Sequence, residues 1–155
     1  MDRWSNRVIT GLARAWGGQA FFPFGGPPYH PFYTWALKTG RAFASPIGFL
    51  VHDSHGLMVS FRGAIFVAGA RHTPPAAPSP CLSCAGQPCR TACPVGAFAD
   101  GYNLDACHSY LDQDAGRSTC MAQGCAARRA CPIGQDLRAP EHSAFHMAQF
   151  HKAST

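Results

Sequence analysis

The sequence predicts an α+β fold, in which a small segment of helices and short strands precedes a module made mostly of turns and helices. Two observations predict this arrangement. Apolar residues at helical and at strand spacing dominate the first half of the chain, whereas all eight cysteines of the 155 residues lie between Cys81 and Cys131. A chain of this length forms one domain, or a small domain with an added module.

The first element expected is a helix near the N-terminus. It is indicated by apolar residues three or four positions apart, namely Trp4, Val8, Leu12 and Ala15. Gly17-Gly18 should end this helix. A short strand over residues 19–22 and a second helix over about residues 32–38, stopped at Gly40, are expected to follow.

Two strands and a turn are predicted next. Residues 47–52 and 57–67 are rich in β-branched and aromatic side chains, and the intervening Asp53-Ser54-His55-Gly56 is a turn sequence. The two strands are therefore expected to pair with each other.

A proline-rich stretch separates the two halves of the chain. Thr73–Pro80 contains four prolines in eight residues, which predicts a stiff extended linker. The predicted organisation is an α+β segment at 1–73, a linker at 74–80, a cysteine-rich module at 81–135 and a C-terminal helix or tail at 136–155.

Two helices are predicted after the linker. Asn103 suits the N-cap of a helix that carries Cys107, Tyr110 and Leu111 on one side. Residues 140–151 have the pattern of a closing amphipathic helix.

The cysteines fall into two sets of four along the chain. The first reads Cys81-x2-Cys84-x4-Cys89-x3-Cys93-Pro94, and the second comprises Cys107, Cys120, Cys125 and Cys131-Pro132. Eight thiolates complete two four-ligand sites, and a proline follows the last cysteine of each set. This is the ligand pattern of a protein with two iron–sulfur clusters. In bacterial two-cluster ferredoxins, the cysteine before proline ligates the other cluster.

Three other interpretations of the cysteines are open. An even number of cysteines suits a disulfide scaffold, although that class belongs to secreted chains. Two structural zinc sites are a second alternative, but only Cys81 and Cys84 have the usual zinc spacing. Scattered buried thiols are the third, which the clustering of the cysteines disfavours.

Composition excludes several classes of protein. Charged residues make up 14% of the chain and hydrophobic residues 46%, which is typical of a folded protein. The net charge of +5 comes from scattered basic residues, of which only Arg128-Arg129 adjoin, and anionic clusters would offset most of it. We therefore expect no nucleic-acid partner. No apolar run reaches the length of a membrane span, and no apolar stretch follows the first residues as in a signal peptide, so a cytoplasmic protein is expected.

Catalytic residues remain unknown from the sequence. The chain has one glutamate, Glu141, no close pair of carboxylates with a clear role, and no G-x-G-x-x-G after a strand. These observations favour an electron carrier over an enzyme.

The second half of the chain resembles the iron–sulfur module of epoxyqueuosine reductases and related cobalamin-dependent reductases. The matching stretches are Cys81-Leu-Ser-Cys84, Cys89-Arg-Thr-Ala-Cys93-Pro94-Val-Gly-Ala, Asn103-Leu-Asp-Ala-Cys107-His-Ser-Tyr-Leu111 and the final Cys131-Pro132. The family usually has two residues where four separate Cys84 from Cys89 and Cys120 from Cys125, and three where five separate Cys125 from Cys131. The resemblance implies one cluster on Cys81, Cys84, Cys89 and Cys131, and the other on Cys93, Cys107, Cys120 and Cys125.

The first half resembles a second family more faintly. Residues 51–63 are similar to a hairpin of cobalamin-processing proteins, which share a nitroreductase-like fold with the cobalamin domain of those reductases. The resemblance implies that Arg62 lies beside a ligand pocket, and His52 in the hairpin is a further candidate contact for a corrinoid. Residues 1–73 would then be a nitroreductase-like remnant, followed by a dicluster ferredoxin module.

Together these features predict a cytoplasmic, ferredoxin-like electron-transfer protein with two 4Fe–4S clusters that passes single electrons to a redox partner protein. One alternative is a reductase fragment whose clusters reduce a corrinoid bound by residues 1–73. Another is a zinc-stabilised interaction module.

Overall fold

The computed structural model of the protein describes residues 1–69 and 77–152. Helices and two small antiparallel sheets occur together, so the predicted α+β class is confirmed. Residues 74–76 of the predicted linker lie outside the described residues. In the described part of the chain, no helix is both long enough and apolar enough to cross a membrane.

The chain divides into two compact units. Met1–Arg41 and Ser60–Ala77 form one, which we call the aromatic unit, and Ala42–Val59 and Pro78–Thr155 form the other, which we call the cysteine unit. From the sequence, residues 42–59 are expected to belong to the N-terminal segment. In the structure they pack with the cysteine-rich part of the chain.

The aromatic unit is built on helix α1, Asp2–Ala15, as the apolar spacing predicts. Gly17, with a φ of 64°, turns the chain after α1 into strand β1, Gln19–Phe21. The second helix, α2, spans Phe32–Leu37.

The sheet of the aromatic unit differs from the predicted hairpin. Of the expected strand at 57–67, only Ala64–Phe66 is extended, as strand β4, and it pairs antiparallel with β1 so that Gln19 faces Phe66. At Gly63, just before β4, a Cβ would lie 2.5 Å from Ile9 Cδ1 and 3.0 Å from the Phe21 carbonyl oxygen, so a larger residue would force a shift in the packing of α1.

The sheet of the cysteine unit pairs strand β2, Ala42–Ala44, with strand β3, Leu50–His52. The predicted pairing of residues 47–52 with 57–67 is therefore wrong. The turn that decides the register is Ser45–Phe49, in which Pro46 fixes one φ and Gly48 supplies a φ of 78°. His52, the last residue of β3, also forms an isolated antiparallel bridge with Gly56.

The rest of the cysteine unit consists of short helices and turns. Helix α3, Leu104–Leu111, is capped by the Asn103 side chain, which accepts a hydrogen bond from the Ala106 amide at 2.9 Å, as predicted. The later elements are α4 (Asp114–Gly116), which continues into a π-helical turn (Arg117–Met121), α5 (Ala126–Arg129) and α6 (Pro140–Lys152), with 3-10 turns at Pro88–Arg90 and Gln135–Leu137.

Two small hydrophobic cores hold the cysteine unit together, and each contains cysteines. The first has the buried residues Ile47, Val51, Leu57, Cys89, Ala127 and Cys131, and the second has Leu111, Cys120 and Met147. The cysteines of this unit therefore form part of its cores.

Candidate metal centres

All eight cysteines are free thiols, and the structure brings them together in two groups of four. The first thiol set is Cys81, Cys84, Cys89 and Cys131, and the second thiol set is Cys93, Cys107, Cys120 and Cys125. This grouping crosses the order of the sequence, because Cys131 lies with the first three cysteines and Cys93 lies with the later ones. It matches the grouping that the family resemblance implies, while ligation of a cluster remains a prediction.

The first thiol set lines a small cavity of about 20 Å³. Its other walls are Ser45, Pro46, Val51, Leu57, Gln87, Pro88 and Pro132. Burial raises the pKa of the Cys81 thiol, the neighbouring Cys131 and Cys84 raise it further, and the Ser79 hydroxyl acts in the opposite direction. Burial also raises the pKa of Cys89, as do Cys81, Cys131 and Cys84. These four thiols therefore act on one another electrostatically.

The widened loop between Cys84 and Cys89 has a defined shape. Gln87 adopts a left-handed φ of 40°, and the 3-10 turn Pro88–Arg90 follows it and carries Cys89. The side-chain amide of Gln87 donates a hydrogen bond to the Cys81 carbonyl oxygen at 3.4 Å. The extra residues are thus taken up by a tight turn that directs Cys89 towards the other three thiols.

The segment after β3 reaches the first thiol set through a glycine. Gly56 has a φ of 56°, and a Cβ built there would lie 2.3 Å from the Ile133 carbonyl oxygen and 2.9 Å from Cys131 Sγ. Only glycine allows so close an approach of the backbone to the loop that carries Cys131.

The second thiol set is supported by α3, the π-helical turn and α5. Burial raises the pKa of Cys107, the Tyr102 hydroxyl lowers it, and Cys93 and Cys120 raise it. The backbone amide of Ala97 donates a hydrogen bond to Cys93 Sγ at 3.4 Å, and Cys120 lies within the π-helical turn. Such π-helical turns often occur at functional sites.

Cys125 stands at the start of α5 and is half-buried. Burial is the main cause that raises the pKa of the Cys125 thiol, and Cys120 raises this pKa as well. The backbone amides of Arg128 and Ala127 and the charge of Arg128 act in the opposite direction. The first turn of α5 thus offers partial positive charge to this sulfur.

Arg128 links α5 to the segment after β3 through side-chain hydrogen bonds. Its Nε donates to the Leu57 carbonyl oxygen at 2.7 Å and its Nη2 to that of Val59 at 3.2 Å. Burial lowers the pKa of Arg128, and Cys125 and Tyr102 act against this. The guanidinium therefore ties Leu57, a wall of the first cavity, to the helix that follows Cys125.

The residues fit a thiolate-ligated cluster. A four-iron cluster takes four cysteines arranged around a volume, and soft thiolates are the ligands that iron–sulfur clusters prefer. Burial raises the pKa of the Cys81, Cys89, Cys107 and Cys125 thiols, and a bound metal core would supply the charge that stabilises their thiolates. Among residues 1–69 and 77–152, no group of three or more His, Cys, Asp or Glu side chains is arranged so that it could hold a metal ion.

The two candidate corrinoid contacts lie in different units. The Arg62 guanidinium, in the aromatic unit, pairs with Asp2, and its Nε donates to Ser5 Oγ at 3.4 Å. It also lies 5.3 Å from the centre of the Phe24 ring. His52 belongs to the cysteine unit, where its Nδ1 accepts a hydrogen bond from the Ser54 backbone amide at 3.2 Å. Each candidate thus has protein partners of its own.

The aromatic unit contains an open cleft of about 620 Å³. Its walls are mostly aromatic or apolar: Phe21, His30, Phe32, Trp35, Ala36, Thr39, Phe61, Gly63, Ala64, Ile65 and Phe66. Phe61 and Gly63, the neighbours of Arg62, line the cleft. The volume is within the usual range for a small-molecule site.

Sequence reasoning missed one residue of the second thiol set. The Tyr102 hydroxyl lies 3.5 Å from Cys107 Sγ and donates a hydrogen bond to it. Burial raises the pKa of Tyr102, and its contact with Cys107 raises it further, so the hydroxyl keeps its proton. An aromatic residue with a hydroxyl just before the helix cap Asn103 was the only local signal for this contact.

Comparison with protein-family models, with curated proteins and with solved structures gave no match in any of the three.

Proposed function

We propose that this protein is a cytoplasmic electron carrier with two [4Fe–4S] clusters, which passes single electrons to a redox partner protein. The observation that carries the proposal is that the eight free thiols approach one another four and four in the cysteine unit, with Cys89, Cys120 and Cys131 buried. The first thiol set would hold one cluster and the second thiol set the other. In this proposal the cysteine unit is a dicluster ferredoxin module, and residues 1–73 include a nitroreductase-like remnant.

The chain's own groups suit reversible electron transfer. When bound, a [4Fe–4S] cluster supplies a one-electron couple whose potential depends on hydrogen bonds to its sulfurs, on net charge and on exposure. The Ala97 amide and the Tyr102 hydroxyl each donate to a thiol of the second set. The first set is enclosed mostly by apolar and proline side chains. The two clusters would therefore have different surroundings and different potentials.

The test is the metal and sulfide content of the protein after anaerobic reconstitution. We expect about eight iron and about eight acid-labile sulfide per chain, as two [4Fe–4S] clusters require. A brown colour and a reduced-state EPR signal from two interacting clusters should accompany them. Stoichiometric zinc without sulfide would support the zinc-stabilised interaction module and overturn the proposal.

A second candidate function is a reductase fragment in which the clusters reduce a bound corrinoid. The observation that favours it is the aromatic cleft, with Phe61 and Gly63 in its walls on either side of Arg62. Titration with aquocobalamin, followed by its visible spectrum, tests this candidate. Saturable binding that Trp35→Ala abolishes and Trp16→Ala leaves intact would support it, because Trp35 lines the cleft and Trp16 follows α1.

A further inference from the structure

A second cleft lies in the cysteine unit, beside the thiols. It has a volume of about 310 Å³ and is lined by Pro46, Ile47, Gly48, Phe49, Arg90, Phe98, Ala99, Gly101 and Tyr102. Arg90 is exposed and is its charged lining residue, and the other lining residues are uncharged. We call it the Tyr102 cleft.

Tyr102 connects this cleft with the second thiol set. Its ring stacks on Phe98 with centroids 4.8 Å apart, and both rings meet the edge of Phe49. The side chain is 37% exposed at the cleft. Its hydroxyl, at the other end, donates to Cys107 Sγ. One side chain therefore touches both the surface and a candidate ligand.

Arg90 gives the cleft its charge preference. It follows Cys89 directly, so the same rim lies next to a thiol of the first set. An exposed cation beside neutral aromatic walls attracts an anionic group and places it against the ring surface. The complementary partner presents a carboxylate to Arg90.

We infer that the Tyr102 cleft is the electron-exchange surface of the second cluster and that it binds a partner protein through an acidic side chain of that partner. The Tyr102 hydroxyl sets the reduction potential of the second cluster. The inference rests on the proposed function. In the transfer step one electron leaves the reduced cluster and enters the partner's acceptor. Tyr102 acts as a positioning residue because its hydroxyl contacts a ligand sulfur.

The effect of the hydrogen bond on the potential has a definite sign. A donor to a ligand sulfur stabilises the reduced cluster more than the oxidised one, because the reduced cluster carries one more negative charge. Removing the donor must therefore lower the reduction potential. The other cluster has none of its ligands in contact with the Tyr102 hydroxyl and should keep its potential.

The first arm of the experiment compares Tyr102→Phe with the matched control Tyr110→Phe, whose hydroxyl pairs with Thr119 Oγ1 at 3.1 Å. Both variants are reconstituted as full-length protein and titrated by EPR at defined potentials. We expect the ratio of reduced to oxidised second cluster in Tyr102→Phe to fall roughly tenfold at a fixed potential, which corresponds to about 59 mV. Tyr110→Phe should match the wild type. Full clusters with unchanged potentials in Tyr102→Phe would overturn the inference, whereas failure of the wild type to bind iron and sulfide would overturn the proposed function.

The second arm tests the charge of the cleft with small acceptors. Dithionite-reduced protein is mixed in stopped flow with anionic ferricyanide or with cationic hexaamminecobalt(III) at low ionic strength. Arg90→Gln should slow the reaction with ferricyanide several-fold and leave the cationic reaction no slower, and high salt should remove the difference. The matched control is Arg117→Gln, an exposed arginine of the same unit outside the cleft lining. Equal effects of the two substitutions would overturn the assignment of the cleft.

Discussion

The two units of this chain differ in whether thiols form part of their packed interior. The aromatic unit contains no cysteine and leaves large side chains exposed, with Trp4 at 58%, Tyr29 at 68% and Phe66 at 62%. The cysteine unit places its thiols inside its cores, where Cys89, Cys120 and Cys131 are buried. The stability of the cysteine unit should therefore depend on what its thiols bind, and that of the aromatic unit should not.

The physical basis of this difference is the free-energy cost of ionising a buried thiol. A thiolate in a core is costly without a compensating charge, and burial raises the pKa values of Cys81, Cys89, Cys107 and Cys125 accordingly. A bound metal core would supply that charge and join four distant positions of the chain, so that its binding free energy would become folding free energy.

Removing the clusters should have the largest effect, and the two units should respond to it differently. After chelation under oxidising conditions, we expect amide hydrogen exchange in α3 and α5 to accelerate by about a hundredfold or more, because these short helices lose the core that orders them. Exchange in α1 and β1 should change little. Hydrogen exchange with mass spectrometry measures both, and unchanged protection of α3 after complete cluster loss would contradict the account.

The substitution Cys131→Ala should destroy one cluster and spare the other. Cys131 lies with Cys81, Cys84 and Cys89, so the cluster of the first thiol set should be lost although three of its ligands are far away in sequence. Iron content should fall by about half, and the EPR spectrum of two interacting clusters should simplify to that of one isolated cluster.

The matched control for this prediction is Cys93→Ala, which removes the other cysteine that precedes a proline. It should spare the cluster of the first set and destroy that of the second. If each substitution instead damaged the cluster of its own stretch of sequence, the crossed grouping would be wrong.

The close approach of Gly56 offers a sharper test inside the cysteine unit. Gly56→Ala should cost about 3 kcal/mol or more, because the added methyl group meets the Ile133 carbonyl and Cys131 Sγ. Gly96→Ala is the matched control, with a similar φ of 59° but open space around its Cβ, and should cost only about 1–2 kcal/mol for the backbone conformation. Denaturant unfolding of the reconstituted proteins compares the two, and equal costs would show that the contact with the Cys131 loop is unimportant.

Alkaline pH should produce the smallest effect, and only in the cluster-free cysteine unit. Folding raises the pKa of Cys81 and Cys107 above the ordinary value of 9.0, so the stability that their neutral form contributes is complete below that pH. It is lost as the pH rises from about 9 through the higher folded pKa values. Thermal unfolding of cluster-free protein should therefore shift to lower temperature between pH 8 and pH 11, and a shift in the opposite direction would contradict the pKa directions.

Local signals in the sequence predicted local structure well. The Asn103 cap, helix α1 and the closing helix α6 all occur where the pattern placed them, because a cap or an apolar repeat acts within one or two turns of chain. The strand pairing was wrong because the turn at Pro46 and Gly48 was not recognised, and it pairs β3 with the preceding segment.

The candidate site shows the same limit. The eight cysteines could be selected from their spacing alone, since a cluster site needs four thiols and the chain supplies eight within one stretch. Tyr102, Gly56 and Arg128 act through contacts with distant parts of the chain, so no local pattern identifies them. Their roles follow from which loops the two cores bring together.

The most direct test of the central claim is a crystal structure of the anaerobically reconstituted protein with anomalous diffraction at the iron absorption edge. We predict two separate iron sites of four atoms each. One should be bonded to Cys81, Cys84, Cys89 and Cys131, and the other to Cys93, Cys107, Cys120 and Cys125. A single-ion site, or iron bound by Cys93 together with Cys81, Cys84 and Cys89, would contradict it.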